Sequence, residues 1–219
     1  MTEKQKMSGS ETIFTLFIGL SAFLATLILI FVYSKQVSIS VLQSTWVNLL
    51  YFTILTNLFA AYFLIYSASK RRWLSFSWLT ALTMWLTIVG SVYHTLLSPY
   101  HNPEGILGVT NQVHHTLVPI GVLLLWLFTR ARESVSFKAP LKWMFFPLIY
   151  GAYSILRGII EGAFPYFYSD PNIIGWKNVI LSQTGFACLF LILGLLFAYI
   201  ANQITRRRSP STQVSLRNP

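Results

Sequence analysis

Two residue types in this sequence can do chemistry together, a threonine hydroxyl and an imidazole, and both stand inside stretches that otherwise read as lipid-soluble. The stretch Asn111 to Phe128, NQVHHTLVPIGVLLLWLF, carries His114 and His115 in its first turns, and YFTILTNL carries Thr53, Thr56 and Asn57. Ionisable groups in a membrane segment are costly and mark functional positions by default. A neutral imidazole can take the hydroxyl proton as the oxygen attacks an acyl carbonyl, then return a proton to the departing alcohol. The acyl-enzyme that results is cleared by water. An oxyanion on this path needs donors, and Asn57, Arg157 or the backbone near Pro119 can supply them. Asn111, one turn before His115, can orient the imidazole. Pro119 has no N–H for the carbonyl of His115, which loosens the helix at that point.

These residues need elements to hold them, and composition says which. The chain has 219 residues, 54% hydrophobic and 10% charged, with a mean hydropathy of +0.59, against about a quarter charged in soluble domains. An all-α, polytopic membrane bundle follows. Six apolar stretches reach the roughly 20 residues needed to span hydrocarbon: 12–33, 46–67, 74–97, 111–129, 143–164 and 178–200. The first is longer than the apolar core of a signal peptide. Residues 1–11 form a short polar N-terminus, Ser34 to Thr45 a polar connection, and 201–219 a basic, disordered tail.

The net charge of +10 points to topology and not to a nucleic-acid partner. Six spans put Lys4, Lys6, Lys70, Arg71, Arg72, Arg130, Arg132, Lys138, Lys142, Arg206, Arg207, Arg208 and Arg217 on one side, leaving only Lys35, Arg157 and Lys177 elsewhere. By the positive-inside rule both termini are cytoplasmic, and the protein is a multi-pass protein of the cell membrane.

With that orientation, Thr53 lies about 10 Å and His115 about 6 Å below the outer ends of their spans, from the helical rise. Tyr93 and His94 in the third span and Arg157 and Glu161 in the fifth reach the same level. Residues three or four apart share a helix face, so Thr53, Thr56 and Asn57 form one polar stripe. Thr80, Thr83, Thr87, Ser91 and His94 form a second, Asn111 and His115 a third, and Tyr150, Tyr153 or Ser154, Arg157 and Glu161 a fourth. The stripes predict an interior polar pocket open toward the outer side. Structural roles compete for the same residues: a membrane threonine commonly bonds its own preceding carbonyl, Arg157 and Glu161 can neutralise each other at i, i+4, and Gly158 and Gly162 suit helix packing. His114 and His115 are about 100° apart on a helix, so both cannot point into the same pocket. Cys188, the single cysteine, excludes an internal disulfide and reads as a packed hydrophobe.

Taken in order, YFTILTNL, VYHTLL, NQVHHTLVP, PLIYGAYSILRG and FPYF resemble the androgen-induced family and its bacterial six-span relatives, over nearly the whole chain. The resemblance implies a membrane threonine hydrolase acting on fatty acid esters of hydroxy fatty acids. The family histidine sits in a pattern met here by Asn111, His115 and Thr116, and its threonine best matches Thr53, with Thr56 as a rival. Where the animal proteins carry an acidic residue three positions after the threonine, this chain has Thr56.

The sequence therefore predicts an integral membrane lipid hydrolase with Thr53 as nucleophile and His115 as base. Thr56, Asn57, His94, Asn111, Arg157 and Glu161 support them, with a membrane lipid or fatty acyl ester as substrate. No cofactor or metal is implied, and no zinc-ligand spacing is present. A second reading keeps the pocket and drops the chemistry, giving a lipid or small-molecule binding or transport protein. A third makes His94 and His114 or His115 haem ligands.

Overall fold

The computed structural model describes residues 6–130 and 132–207. Among them every regular element is helical, apart from one isolated bridge between Lys6 and Arg72. Six helices are long and apolar enough to cross a membrane: α1 (Gly9–Gln36), α3 (Phe52–Ser69), α4 (Phe76–Leu97), α5 (Gly105–Phe128), α6 (Ala139–Glu161) and α7 (Pro171–Arg207). The short helix α2 (Val41–Asn48) lies between the first two. Residues 1–5 of the polar N-terminus and 208–219, most of the tail, lie outside the described residues.

Helix α4 is the axis of the bundle, with 72% of its apolar window buried, whereas α6 and α7 are peripheral at 28% each. Its threonine stripe is structural. Thr80, Thr83 and Thr87 donate to the carbonyls four residues back, and Thr80 also accepts from the Trp126 indole. Phe52, Phe59, Trp85, Phe146 and Phe190 pack edge to face or tilted at 4.8–6.1 Å across α3, α4, α6 and α7, arrangements that aromatic quadrupoles favour.

The connection Ser34–Thr45 is not a plain loop. Ser40 and Gln43 form a reciprocal capping box and start α2, the same device that Ser8 and Glu11 use to start α1. The S-x-x-Q spacing was the available signal. The second span therefore does not begin at Trp46: α2 ends, Leu49–Tyr51 turn, and α3 starts afresh at Phe52. Helix-end carbonyls in this turn are satisfied from α6, because the Tyr150 hydroxyl donates to Leu50 O (3.0 Å) and the Tyr153 hydroxyl to Leu49 O (3.3 Å). Such ends need partners in a bilayer.

Other boundaries shift for identifiable reasons. Helix α5 begins at Gly105, six residues before the expected start. Helix α7 is broken at Gly175 (φ 75°) and continues to Arg207, so 201–207 is ordered helix and not a loose tail. Asn202 holds it there by exchanging two 2.8 Å hydrogen bonds with the Val135 backbone. Gly158 packs against no helix: a Cβ there would stand 2.3 Å from the Phe164 ring, while Gly162 (φ 72°) closes α6 in the left-handed conformation. The pair shapes the loop that follows α6. Cys188 is exposed on the outside of the bundle and is not packed within it.

Candidate active site

Helices α4 and α5 each carry one widened turn at the same end of the bundle, Tyr93–Leu97 and Val113–Leu117. In each the closing N–H bonds five residues back, Ser98 to Tyr93 and Val118 to Val113. Single π-turns of this kind gather at functional sites. The second falls just before Pro119, where the missing amide removes one constraint on the ladder.

The turn in α5 aims its two histidines at different helices. His115 Nε2 lies 3.3 Å from Thr53 Oγ1, and His115 Nδ1 lies 3.0 Å from the carbonyl oxygen of Asn111. A carbonyl only accepts, so Nδ1 carries the hydrogen, and in the neutral ring Nε2 is then an acceptor for the threonine proton. The Tyr93 ring stacks on the imidazole at 4.0 Å and 19°. Tyr93 in turn takes a hydrogen bond from the Asn111 amide and donates to His101 O (3.2 Å). Asn111 thus orients His115 through its backbone, and its side chain holds the tyrosine that stacks there. His114 turns to α1, where its Nε2 lies 3.0 Å from Thr26 Oγ1. Thr26 donates to Ala22 O, so His114 is the donor.

The remaining expected residues divide clearly. Thr56 is fully buried and donates to Phe52 O at 2.7 Å, so its hydroxyl is committed to the helix and Thr53 is the one facing an imidazole. Asn57 supplies no oxyanion donor: its amide donates to Thr53 O (2.9 Å) and His114 O (3.4 Å), tying α3 to α5 behind the pair. His94 is not in the site. The widened turn rotates Tyr93 inward, 1% exposed, and leaves His94 exposed against Thr116 Oγ1 at 2.9 Å. Arg157 and Glu161 lie elsewhere too. Arg157 Nε bonds Glu161 (2.9 Å), Arg157 Nη1 bonds the Tyr153 hydroxyl (2.8 Å), and the guanidinium stands 4.0 Å over Trp46, whose indole donates to Glu161 (2.8 Å). That cluster fastens α2 to α6 and offers no donor to Thr53. Neither backbone near Pro119 nor these side chains stand beside the threonine oxygen.

What does stand there is the start of α3. Thr53 is its second residue, Tyr51 caps it without a side-chain bond, and Ile54 and Leu55 both bond the Tyr51 carbonyl. First-turn amides have no partner within their own helix and carry the positive end of its dipole. The phenol of Tyr166, on the loop after α6, lies beside the Phe52 N–H and the Thr53 and Tyr150 hydroxyls. Burial pushes this phenol up to about 12, against the pull of those neighbours, so it stays protonated. Sequence reasoning brought Tyr93 to the level of the site without a role and missed Tyr166, whose only trace was the aromatic density of FPYF.

Two cavities meet at this point, of about 250 and 400 Å³, and Thr53, Leu97 and Tyr166 line both. The smaller runs between α4, α6 and α7 past Ile88, Met144, Ala187 and Phe190 and is mostly apolar. The larger holds His114 and His115 with Gln36, Asn48, Thr110 and His101; both histidines line this one cavity, contrary to the expectation from their angular separation, because the widened turn between Val113 and Leu117 departs from regular helix. Among the described residues no three His, Cys, Asp or Glu side chains group as a metal site. The fold and the pair define the class: an all-helical bundle with six helices able to span a membrane and a threonine–histidine pair between two cavities. No family model, curated protein or solved structure matches the chain.

Gly90 sets the spacing of the pair. A Cβ at this position would lie 2.9 Å from His115 O, so Gly90→Val must push α5 away from α4. Misplacement by an ångström costs about 10²-fold in a rate that depends on two positioned groups, and a loss of that order in any reaction that uses the Thr53–His115 pair, with the protein still monodisperse, is the expected result.

Proposed function

We propose that this chain is an integral membrane ester hydrolase that uses Thr53 as nucleophile and His115 as general base. The observation that carries the reading is the 3.3 Å approach of Thr53 Oγ1 to an imidazole nitrogen left as acceptor by the Nδ1–H bond to Asn111 O. The resemblance to the androgen-induced family of threonine hydrolases supports it from the sequence side. In the reaction, Nε2 takes the Thr53 proton while Oγ1 bonds to the ester carbonyl carbon. The tetrahedral species collapses by breaking the bond to the alcohol oxygen, which leaves with the proton held on Nε2. Water, deprotonated by the same nitrogen, then attacks the acyl-threonine, releases the fatty acid and restores the hydroxyl.

Proton return also fixes how a substrate lies. The leaving oxygen must be within reach of His115, so the alcohol portion occupies the larger cavity, which both histidines line, and the acyl chain the smaller one. A fatty acyl ester whose alcohol portion carries polar groups fits both linings, and a fatty acid ester of a hydroxy fatty acid is one such molecule. Ala187→Phe, on the wall of the acyl cavity, is expected to lower kcat/KM for long acyl esters while leaving short ones little changed. A chain-length series on the purified variant checks this.

The basic segments at the opposite end of the bundle support, by the positive-inside rule, a cell-membrane protein with both termini in the cytoplasm and the site toward the outer leaflet. Purified protein in lipid nanodiscs, given a fatty acid ester of a hydroxy fatty acid and assayed for released acid by mass spectrometry, tests the reading. Turnover that depends on Thr53 and His115 supports it. Saturable binding of the ester with no released acid supports the reading as a lipid-binding or transport protein, in which the pair has no part.

A further inference from the structure

We propose that Tyr166 is a catalytic residue, whose phenol donates to the oxyanion formed at the ester carbonyl when Thr53 attacks, with the first amide of α3 as the second donor. This rests on the ester hydrolase reading of the same site. Tyr166 comes from a loop far along the chain, yet it shares with Thr53 the partition between the two cavities. A carbonyl attacked by Thr53 Oγ1 while its chain extends into one cavity and its leaving group into the other must turn its oxygen toward that partition.

The donors nearest in sequence are all committed. The Asn57 amide serves two carbonyls, Arg157 serves Glu161 and Tyr153, and His114 serves Thr26. The Phe52 N–H and the Tyr166 hydroxyl are what remain beside Thr53. The ring of Tyr166 is held without its hydroxyl. It stacks on Tyr168 at 4.9 Å and 10°, Tyr168 packs on Phe186 at 4.9 Å, and Tyr51 meets Tyr166 edge-on at 6.1 Å. Phe164, seated over Gly158, anchors the loop at its start. A donor positioned before the charge develops needs no rearrangement as it forms, which is what makes such groups effective. The phenol keeps its proton throughout: as the Thr53 oxygen bonds to carbon, the carbonyl electron pair moves onto oxygen, and the O–H only hydrogen-bonds to it.

Tyr166→Phe removes the donor and keeps the ring. The full-length variant in nanodiscs is expected to lose about 10²-fold in kcat, the usual cost of one oxyanion donor, with KM little changed. Its affinity for a trifluoromethyl ketone bearing the acyl chain should fall in parallel, because the adduct carries the same oxyanion. Tyr100→Phe, at an exposed surface tyrosine, serves as the comparison variant and Thr53→Ala is run alongside. Unchanged kcat and ketone affinity in Tyr166→Phe, or a raised KM with unchanged kcat, overturns the role of Tyr166 even where Thr53→Ala is inactive. Turnover that survives Thr53→Ala overturns the nucleophile assignment beneath it.

Discussion

Replacing Thr53 by alanine is expected to abolish ester turnover, a fall of about 10⁴-fold or more by analogy with loss of the nucleophile in other acyl-transfer sites. The change deletes one hydroxyl at a half-buried position on the wall between two cavities, and alanine suits a helix at least as well as threonine, so the fold should survive. The informative partner is Thr56→Ala. Thr56 is the more deeply buried of the two and bonds only the Phe52 carbonyl, so its loss should touch stability modestly and turnover little. Steady-state rates of both purified variants, with thermal unfolding as the check on folding, decide between the two threonines. A dead Thr56→Ala beside an active Thr53→Ala would reverse the assignment.

Removing the base is the second large effect. His115→Ala leaves Thr53 with no group to take its proton, and general-base catalysis by a positioned side chain accounts for about 10² to 10⁴ in rate. His115→Ala should therefore fall in that range or below it, given that nucleophile and base act as a unit. His114→Ala separates chemistry from packing. That ring donates to Thr26 and faces α1, so its loss should loosen the α1–α5 contact and lower Tm while leaving far more turnover than His115→Ala. Equal losses in both variants, with matched stability, would mean that the two imidazoles share a role the geometry does not give them.

The six apolar helices were legible because each is a long run that a uniform helix can carry; Thr53 and His115 do meet, though not at the depths counted, because α3 starts at Phe52 and α5 at Gly105. What the sequence hid came from departures from that uniform helix. The break at Leu49–Tyr51 makes Thr53 the second residue of a helix and not a mid-span residue, so its setting is the positive end of α3. The π-turn in α4 rotates the register, so the stripe that carried Thr80, Thr83 and Thr87 toward His94 delivers Tyr93 to the interior instead. Both departures depend on contacts with other helices, Tyr150 and Tyr153 on the first and the ring of His115 on the second. The pairing of Arg157 with Glu161 was legible from the i, i+4 spacing, and the structure shows it. The stacking of Arg157 over Trp46 and the Asn57 bond to His114 O, 57 positions away, left no spacing signal.

Reaction of the purified protein with a fluorophosphonate, followed by mass spectrometry of the peptide that spans α3, reads the nucleophile directly. The account predicts a phosphonate on the Thr53 oxygen, absent in Thr53→Ala and strongly reduced in His115→Ala. A protein that turns over ester yet takes no label at Thr53, or that is labelled at another residue with undiminished yield in Thr53→Ala, contradicts it.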